Sequence, residues 1–175
     1  MSADETVALR KWKMTDAHDL VTAINNEKVV DNLRDGLPYP YTICDAEKFI
    51  GSIQSAEKDS QYIFAITYGG KVIGSIGILR KECAHRLTGE LGYYIAEPYW
   101  GKGIAAEAIR QICAYVFNCT DIVRIFAQPY ANNAASIRVL QKAGFRAEGI
   151  LRSNAVKNGQ ILDVSMHALI KEITA

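Results

Sequence analysis

Residues 62–68 and 71–79 are two apolar, β-favouring runs separated only by Gly69-Gly70. Two glycines tolerate the positive φ values that a two-residue hairpin turn demands, so the runs are expected to be adjacent antiparallel strands. A third run, residues 89–96, follows a polar stretch and ends at Pro98. It continues the pair into a meander, and such a sheet must cover its apolar face with other elements.

The flanking segments have the spacing to do so. Ala17, Leu20, Val21 and Ile24 recur at helical intervals behind Thr15-Asp16, which reads as an N-cap, and residues 42–56 return to a helical pattern through Ala46, Phe49, Ile50 and Ile53. Between them, residues 31–41 hold two prolines, a glycine and two tyrosines, a loop that sets aromatic rings beside a site. Beyond Gly103, the residues Ala105, Ile109, Ile112 and Val116 make a broad apolar helix stripe. Residues 121–128 read as a strand, 133–143 as a short helix closed by Gly144, and 155–157 with 161–169 as a hairpin around Asn158-Gly159. The order implies an α/β chain of the α+β kind, with a mixed, mostly antiparallel central sheet flanked by helices. With no repeat or linker, residues 1–175 are expected to form a single domain.

Composition narrows the partners. Twenty Lys+Arg stand against nineteen Asp+Glu, a net charge of +1, which gives no bulk electrostatic pull toward nucleic acid or an anionic membrane. Any anion must be held locally. Asp4 and Glu5 stand where a secretory signal would be basic, and no apolar run reaches about 18 residues, so a cytoplasmic location without a membrane span is expected. Cys44, Cys83, Cys113 and Cys119 form no Cys-x-x-Cys pair and have no histidine at ligand spacing; no metal is expected, and the cysteines read as packing residues.

The most informative stretch is residues 98–108, where small residues lie between the end of a strand and the start of an amphipathic helix. The first turn of a helix leaves N–H groups without intrahelical partners and carries partial positive charge, and glycines let a diphosphate approach the main chain. Gly-x-Gly after a strand also occurs in turns that bind nothing. A P-loop is excluded, because Gly101-Lys102-Gly103 has neither the four-residue gap nor the following Ser/Thr. A dinucleotide fold fits poorly, because the preceding strands form a meander and not a βαβ unit.

The succession of strand, Trp100-Gly101-Lys102-Gly103-Ile104-Ala105, helix, strand, then Asn133-Ala134-Ala135-Ser136 through Gly144-Phe145, resembles the two cofactor motifs of the GNAT acetyltransferases. Leu9-Arg10 with Asp16-Ala17, and residues 148–163, carry the resemblance over nearly the whole chain, toward the branch containing ribosomal-protein N-terminal acetyltransferases. The resemblance implies the acyl-CoA N-acyltransferase fold and acetyl-CoA as cofactor. It implies that main-chain amides from Trp100 to Ala105 hold the diphosphate, with Lys102 adding a point charge; Trp100 stands where the family usually has Gln or Arg. It also implies that Tyr94 and Ile95 open from the neighbouring strand to pair with the pantetheine arm, as an added strand would.

Asn133 and Ser136 match the family's Asn-x-x-Ser, which places Asn133 on the pantetheine arm and Ser136 near the thioester sulfur; helix capping is the alternative role for both. Many members carry a Tyr seven residues after the Asn, where this chain has Leu140. A thiol ionises near pKa ~8.5 and leaves fairly well unaided, so Ser136 is expected to donate a hydrogen bond rather than a proton. The amine must lose a proton, and Glu90 is the candidate base, on the strand face shared by Gly92, Tyr94 and Ala96. A salt-bridged strand residue is the alternative. Arg34, Tyr39 and Tyr41 are expected on the acceptor-side wall. The implied reaction is direct acetyl transfer to a primary amine acceptor, a protein N-terminal α-amine first and a small-molecule amine second, by a monomer or homodimer. A non-catalytic acyl-CoA sensor is the reading from another class.

Overall fold

The computed structural model describes residues 6–172; residues 1–5, which carry the argument against a signal segment, lie outside the described residues. Seven strands form one sheet: β1 (Val7–Arg10), β2 (Gln61–Tyr68), β3 (Lys71–Arg80), β4 (Thr88–Ile95), β5 (Arg124–Ala127), β6 (Arg146–Lys157) and β7 (Gln160–Ile170). Their spatial order is β1-β2-β3-β4-β5-β7-β6, antiparallel except for the β4–β5 pair. Gly69 and Gly70 adopt φ of 58° and 76° and close the expected β2–β3 hairpin.

Among the described residues, five α-helices cover the two faces: α1 (Ala17–Ile24), α2 (Glu27–Val30), α3 (Ile43–Gln54), α4 (Ile104–Cys119) and α5 (Ala134–Lys142). Ile109, Ile112 and Val116 of α4 and Leu140 of α5 are buried against Ile66, Ile73, Ile76 and Ile78. Leu20 and Ile24 of α1 and Ile50 of α3 pack with Trp12, Tyr41 and Ala65 in a second cluster. Each fully buried side chain of this size contributes about 1.5–3 kcal/mol, so the two clusters fix the sheet between its helix layers.

Three elements differ from the sequence expectation. β1 and the one-turn α2 are too short to show a period. β6 begins at Arg146 rather than 155 because its residues are mostly exposed and its pairing with β7 slips register twice, which erases any alternation. Asp16 does not cap α1 with its side chain. It accepts hydrogen bonds from Arg10 at 2.6 and 2.8 Å and from the Lys13 N–H at 2.8 Å, joining the end of β1 to the start of α1.

The Arg10 hydrogen bonds hold the Asp16 carboxyl below its ordinary value against the opposing effect of burial. A depressed carboxylate stabilises the fold above the unfolded pKa of ~3.9, and that stabilisation is lost as pH falls through the lower folded value. Asp16→Asn is therefore expected to cost about 2 kcal/mol at pH 7, and its deficit relative to the wild type should shrink below about pH 4. Urea unfolding at a series of pH values checks both the size and the direction.

Candidate active site

β4 pairs with β3 along its whole length but with β5 only at Thr88, Gly89 and Glu90. The reason lies in β5, which ends at Ala127 and is followed by Pro129, a residue with no N–H to give. The chain there turns to β7 instead: the Ser165 N–H donates to the Pro129 carbonyl at 2.9 Å, and Tyr130 bridges to Val164. Residues 91–95 of β4 are left with one uncovered edge. Antiparallel alternation fixes which backbone groups face it. The Ala96 N–H donates to Ile73 at 2.8 Å, so Tyr94, Gly92 and Glu90 point their main chain toward β3, while Ile95, Tyr93 and Leu91 point theirs into the opening. Of the expected pair, Ile95 turns its main chain into the opening and Tyr94 turns its own toward β3, while Tyr93 faces the opening as well.

Two cavities, of about 370 and 260 Å3, meet at this opening, and both are lined by Asn32, Leu33, Tyr93, Tyr94, Asn133 and Ser136. The smaller one runs to the start of α4. Gly101 and Gly103 sit at φ of 75° and 79°, in the left-handed region where a side chain is strained. Gly103 is the N-cap and supplies no side chain, so the first N–H groups of α4 have neither an intrahelical nor a side-chain partner. Trp100, Gly101, Gly103, Ile104 and Ala105 all line this cavity. The Trp100 indole donates to the Ile95 carbonyl at 2.7 Å and pins the glycine turn to the end of β4.

Lys102, the expected point charge, is not among the lining residues; its ammonium lies 5.5 Å from the centre of the Tyr99 ring. Lys28 and Lys142 are the lysines that line this cavity. They come from α2 and the end of α5, and no local motif links them to the glycine turn.

Where the cavities join, Asn133 caps α5, its side-chain oxygen accepting from the Ser136 N–H at 3.0 Å. The capping role is therefore real, and it occupies the oxygen of the carboxamide. The Ser136 hydroxyl lies 2.9 Å from that of Tyr93. Burial pushes the Tyr93 phenol up to about 12, with the Ser136 bond pulling weakly the other way, and burial also raises Tyr94. Leu140 is completely buried in the core.

The larger cavity has Glu90 and Gly92 on the β4 side and apolar walls from Leu20, Ile24, Phe49 and Ile63. Both Glu90 oxygens are engaged, one by Arg34 at 2.5 Å and the other by Lys81 at 2.9 Å. The Glu90 side chain is 14% exposed and that of Arg34 70%, so the guanidinium is the partner open to solvent. Tyr41 lines the cavity as expected, held by paired hydrogen bonds between its main chain and the Asn25 carboxamide. Tyr39 does not; it is half exposed and outside the lining, because the chain through Pro38 and Pro40 carries it to the surface. Among the described residues no group of three or more His, Cys, Asp or Glu is placed to hold a metal, and no helix is long and apolar enough to cross a membrane.

The sheet thus splits beside its one parallel pair, with an uncapped glycine-led helix on one side, where the first-turn N–H groups suit an anion, and a carboxylate-bearing pocket on the other. Residues 6–146 match the acetyltransferase (GNAT) domain, and the chain belongs to this family of acetyl-CoA-dependent N-acetyltransferases. Among relatives, the probable N-acetyltransferase YjcK of Bacillus subtilis is 35% identical over 133 residues, 74% of each chain. The uncharacterized N-acetyltransferase YoaA of the same organism is 36% identical over 101 residues, which are 58% of this chain and 56% of that protein. The ribosomal-protein-serine acetyltransferase of Escherichia coli is 26% identical, covering 69% of this chain and 66% of that one. Among solved structures, RimL, a ribosomal L7/L12 α-N-protein acetyltransferase in complex with coenzyme A, superposes with a TM-score of 0.85 at 21% identity over 95% of this chain and 94% of that one.

Proposed function

We propose that acetyl-CoA lies in the smaller cavity with its diphosphate on the first turn of α4, its pantetheine arm along Tyr93, Ile95 and Asn133, and its thioester beside Ser136. The acceptor amine enters by the larger cavity. The observation that carries this reading is the meeting of the two cavities at Ser136, Tyr93 and Asn133. The amine nitrogen attacks the thioester carbonyl, the C–N bond forms as the C–S bond breaks, and the electron pair leaves on sulfur. The Ser136 hydroxyl donates a hydrogen bond to that sulfur. Glu90 takes the amine's proton, directly or through water, after the incoming ammonium displaces the exposed Arg34 from it. No covalent enzyme intermediate is involved.

The favoured acceptor is a protein N-terminal α-amine. An α-amine loses its proton near pKa ~8 against ~10.4 for a lysine-type amine, which suits a site whose one lining carboxylate already faces two cations. Apolar walls suit a short hydrophobic side chain next to that amine better than a polyamine. The E. coli relative's name, ribosomal-protein-serine acetyltransferase, points the same way.

Thiol release from acetyl-CoA should be fastest with N-terminal peptides, slower with free amino acids and slowest with polyamines. Binding of coenzyme A without thiol release from any amine would leave only a sensor. Glu90→Gln should lower kcat roughly 100-fold while the affinity for coenzyme A holds. Gly103→Val, which puts a β-branched residue at φ 79°, should weaken coenzyme A binding by at least about tenfold in calorimetry.

A further inference from the structure

Tyr93 and Ser136 reach the cavity junction from different layers, one from β4 and the other from the first turn of α5. Their hydroxyl oxygens are 2.9 Å apart, and both residues line both cavities. A phenol is the better donor of the two hydroxyls and the poorer acceptor. That difference in acidity favours Tyr93 as the hydrogen-bond donor to the Ser136 oxygen, which leaves the serine's own O–H to point elsewhere. The Tyr93 ring packs against the core beneath α4, so its hydroxyl is fixed in place. Burial pushes the phenol up to about 12, which favours its protonated, donor form. No other hydroxyl is offered from α5 behind Ser136, since Leu140 is apolar and buried.

We infer that Tyr93 is a positioning residue that aims the Ser136 hydroxyl at the thioester sulfur, the two hydroxyls forming a donor chain toward the departing thiolate. This rests on the acetyl-transfer reading of the junction. No proton leaves either residue during the step: the amine's proton goes to Glu90 or water, the C–S electron pair stays on sulfur, and the free thiolate is protonated by solvent. What Tyr93 contributes is direction and polarisation, because a hydroxyl that accepts a hydrogen bond donates a stronger one.

The experiment is steady-state kinetics on Tyr93→Phe, Ser136→Ala and the double variant, with coenzyme A affinity and thermal midpoint measured on each. Tyr93→Phe should lower kcat about five- to tenfold, with KM for acetyl-CoA and coenzyme affinity within about twofold. The double variant should be no slower than Ser136→Ala alone, the non-additivity expected of one chain. Wild-type kcat in Tyr93→Phe beside a slowed Ser136→Ala overturns the role of Tyr93 and leaves the acetyl-transfer reading standing. Multiplying effects, or a loss carried by KM or coenzyme affinity, overturn it too. A wild-type rate in Ser136→Ala instead removes the assignment of the junction to sulfur, and Tyr93 with it. If Tyr93→Phe melts too low to assay, fluorotyrosine incorporated in place of Tyr93 keeps both ring and bond; kcat at or above wild type supports the chain, and a fall overturns it.

Discussion

The rest of the site depends on β4 losing its partner after Glu90. A strand edge inside a protein is costly, since each main-chain group without a hydrogen bond loses about 1–3 kcal/mol relative to water. Most folds cover such an edge or keep it short. Here β5 stops at Ala127 and its continuation through Pro129 bonds to β7, so the Tyr93 main chain and the Ile95 N–H face the opening, the Ile95 carbonyl being taken by the Trp100 indole. In the reading proposed above, the amides of the pantetheine arm pair with those groups as an added strand would. The same divergence makes room for α5 to bring Ser136 within 2.9 Å of Tyr93. One broken pairing therefore yields the slot, its lining of unspent donors and the approach of the reacting groups.

Much of this was legible in the sequence, for local reasons. Gly69-Gly70 fixes a hairpin by φ alone, and the apolar stripe of residues 104–119 fixes a helix on the sheet. The glycines at 101 and 103 are read directly, because a turn of that shape accepts little else. What sequence does not carry is the direction of a group relative to a distant partner. Which of Tyr93 and Tyr94 presents its main chain to the slot depends on the parity of pairing with β3, a matter of register, and the Lys102 ammonium turns to a neighbouring aromatic ring. The Tyr93–Ser136 contact spans 43 residues and follows no motif.

The charges in the larger cavity follow the same logic of distance. Glu90 was identifiable by its face on the strand, but its two cationic partners come from the loop after α2 and from the residue just past β3. A carboxylate held on both oxygens is a poor base until one partner moves, and exposure decides which one does. Lys81 approaches at 42% side-chain exposure and stands 5.7 Å from the Phe126 ring centre, while Arg34 is 70% exposed. On its Arg34 side the pair is open to solvent and screened, so in the proposed reaction the guanidinium is the partner that an incoming ammonium exchanges with.

That exchange bears on where the acceptor enters. Residues 26–37 border both cavities, and polar contacts tie them down: Asn26 to Glu97 at 2.7 Å, Lys28 to the same carboxylate, Leu33 to the Tyr130 hydroxyl at 3.1 Å, and Arg34 to Glu90. Val29 is the one member of α2 fully withdrawn from solvent. Beneath this strap the sheet is held by two apolar clusters, whose disruption costs far more than the release of surface ion pairs. The weakest boundary of the larger cavity is thus the one that carries Arg34. In the reading proposed above, an acceptor arriving from that side meets the Arg34 guanidinium before it meets Glu90.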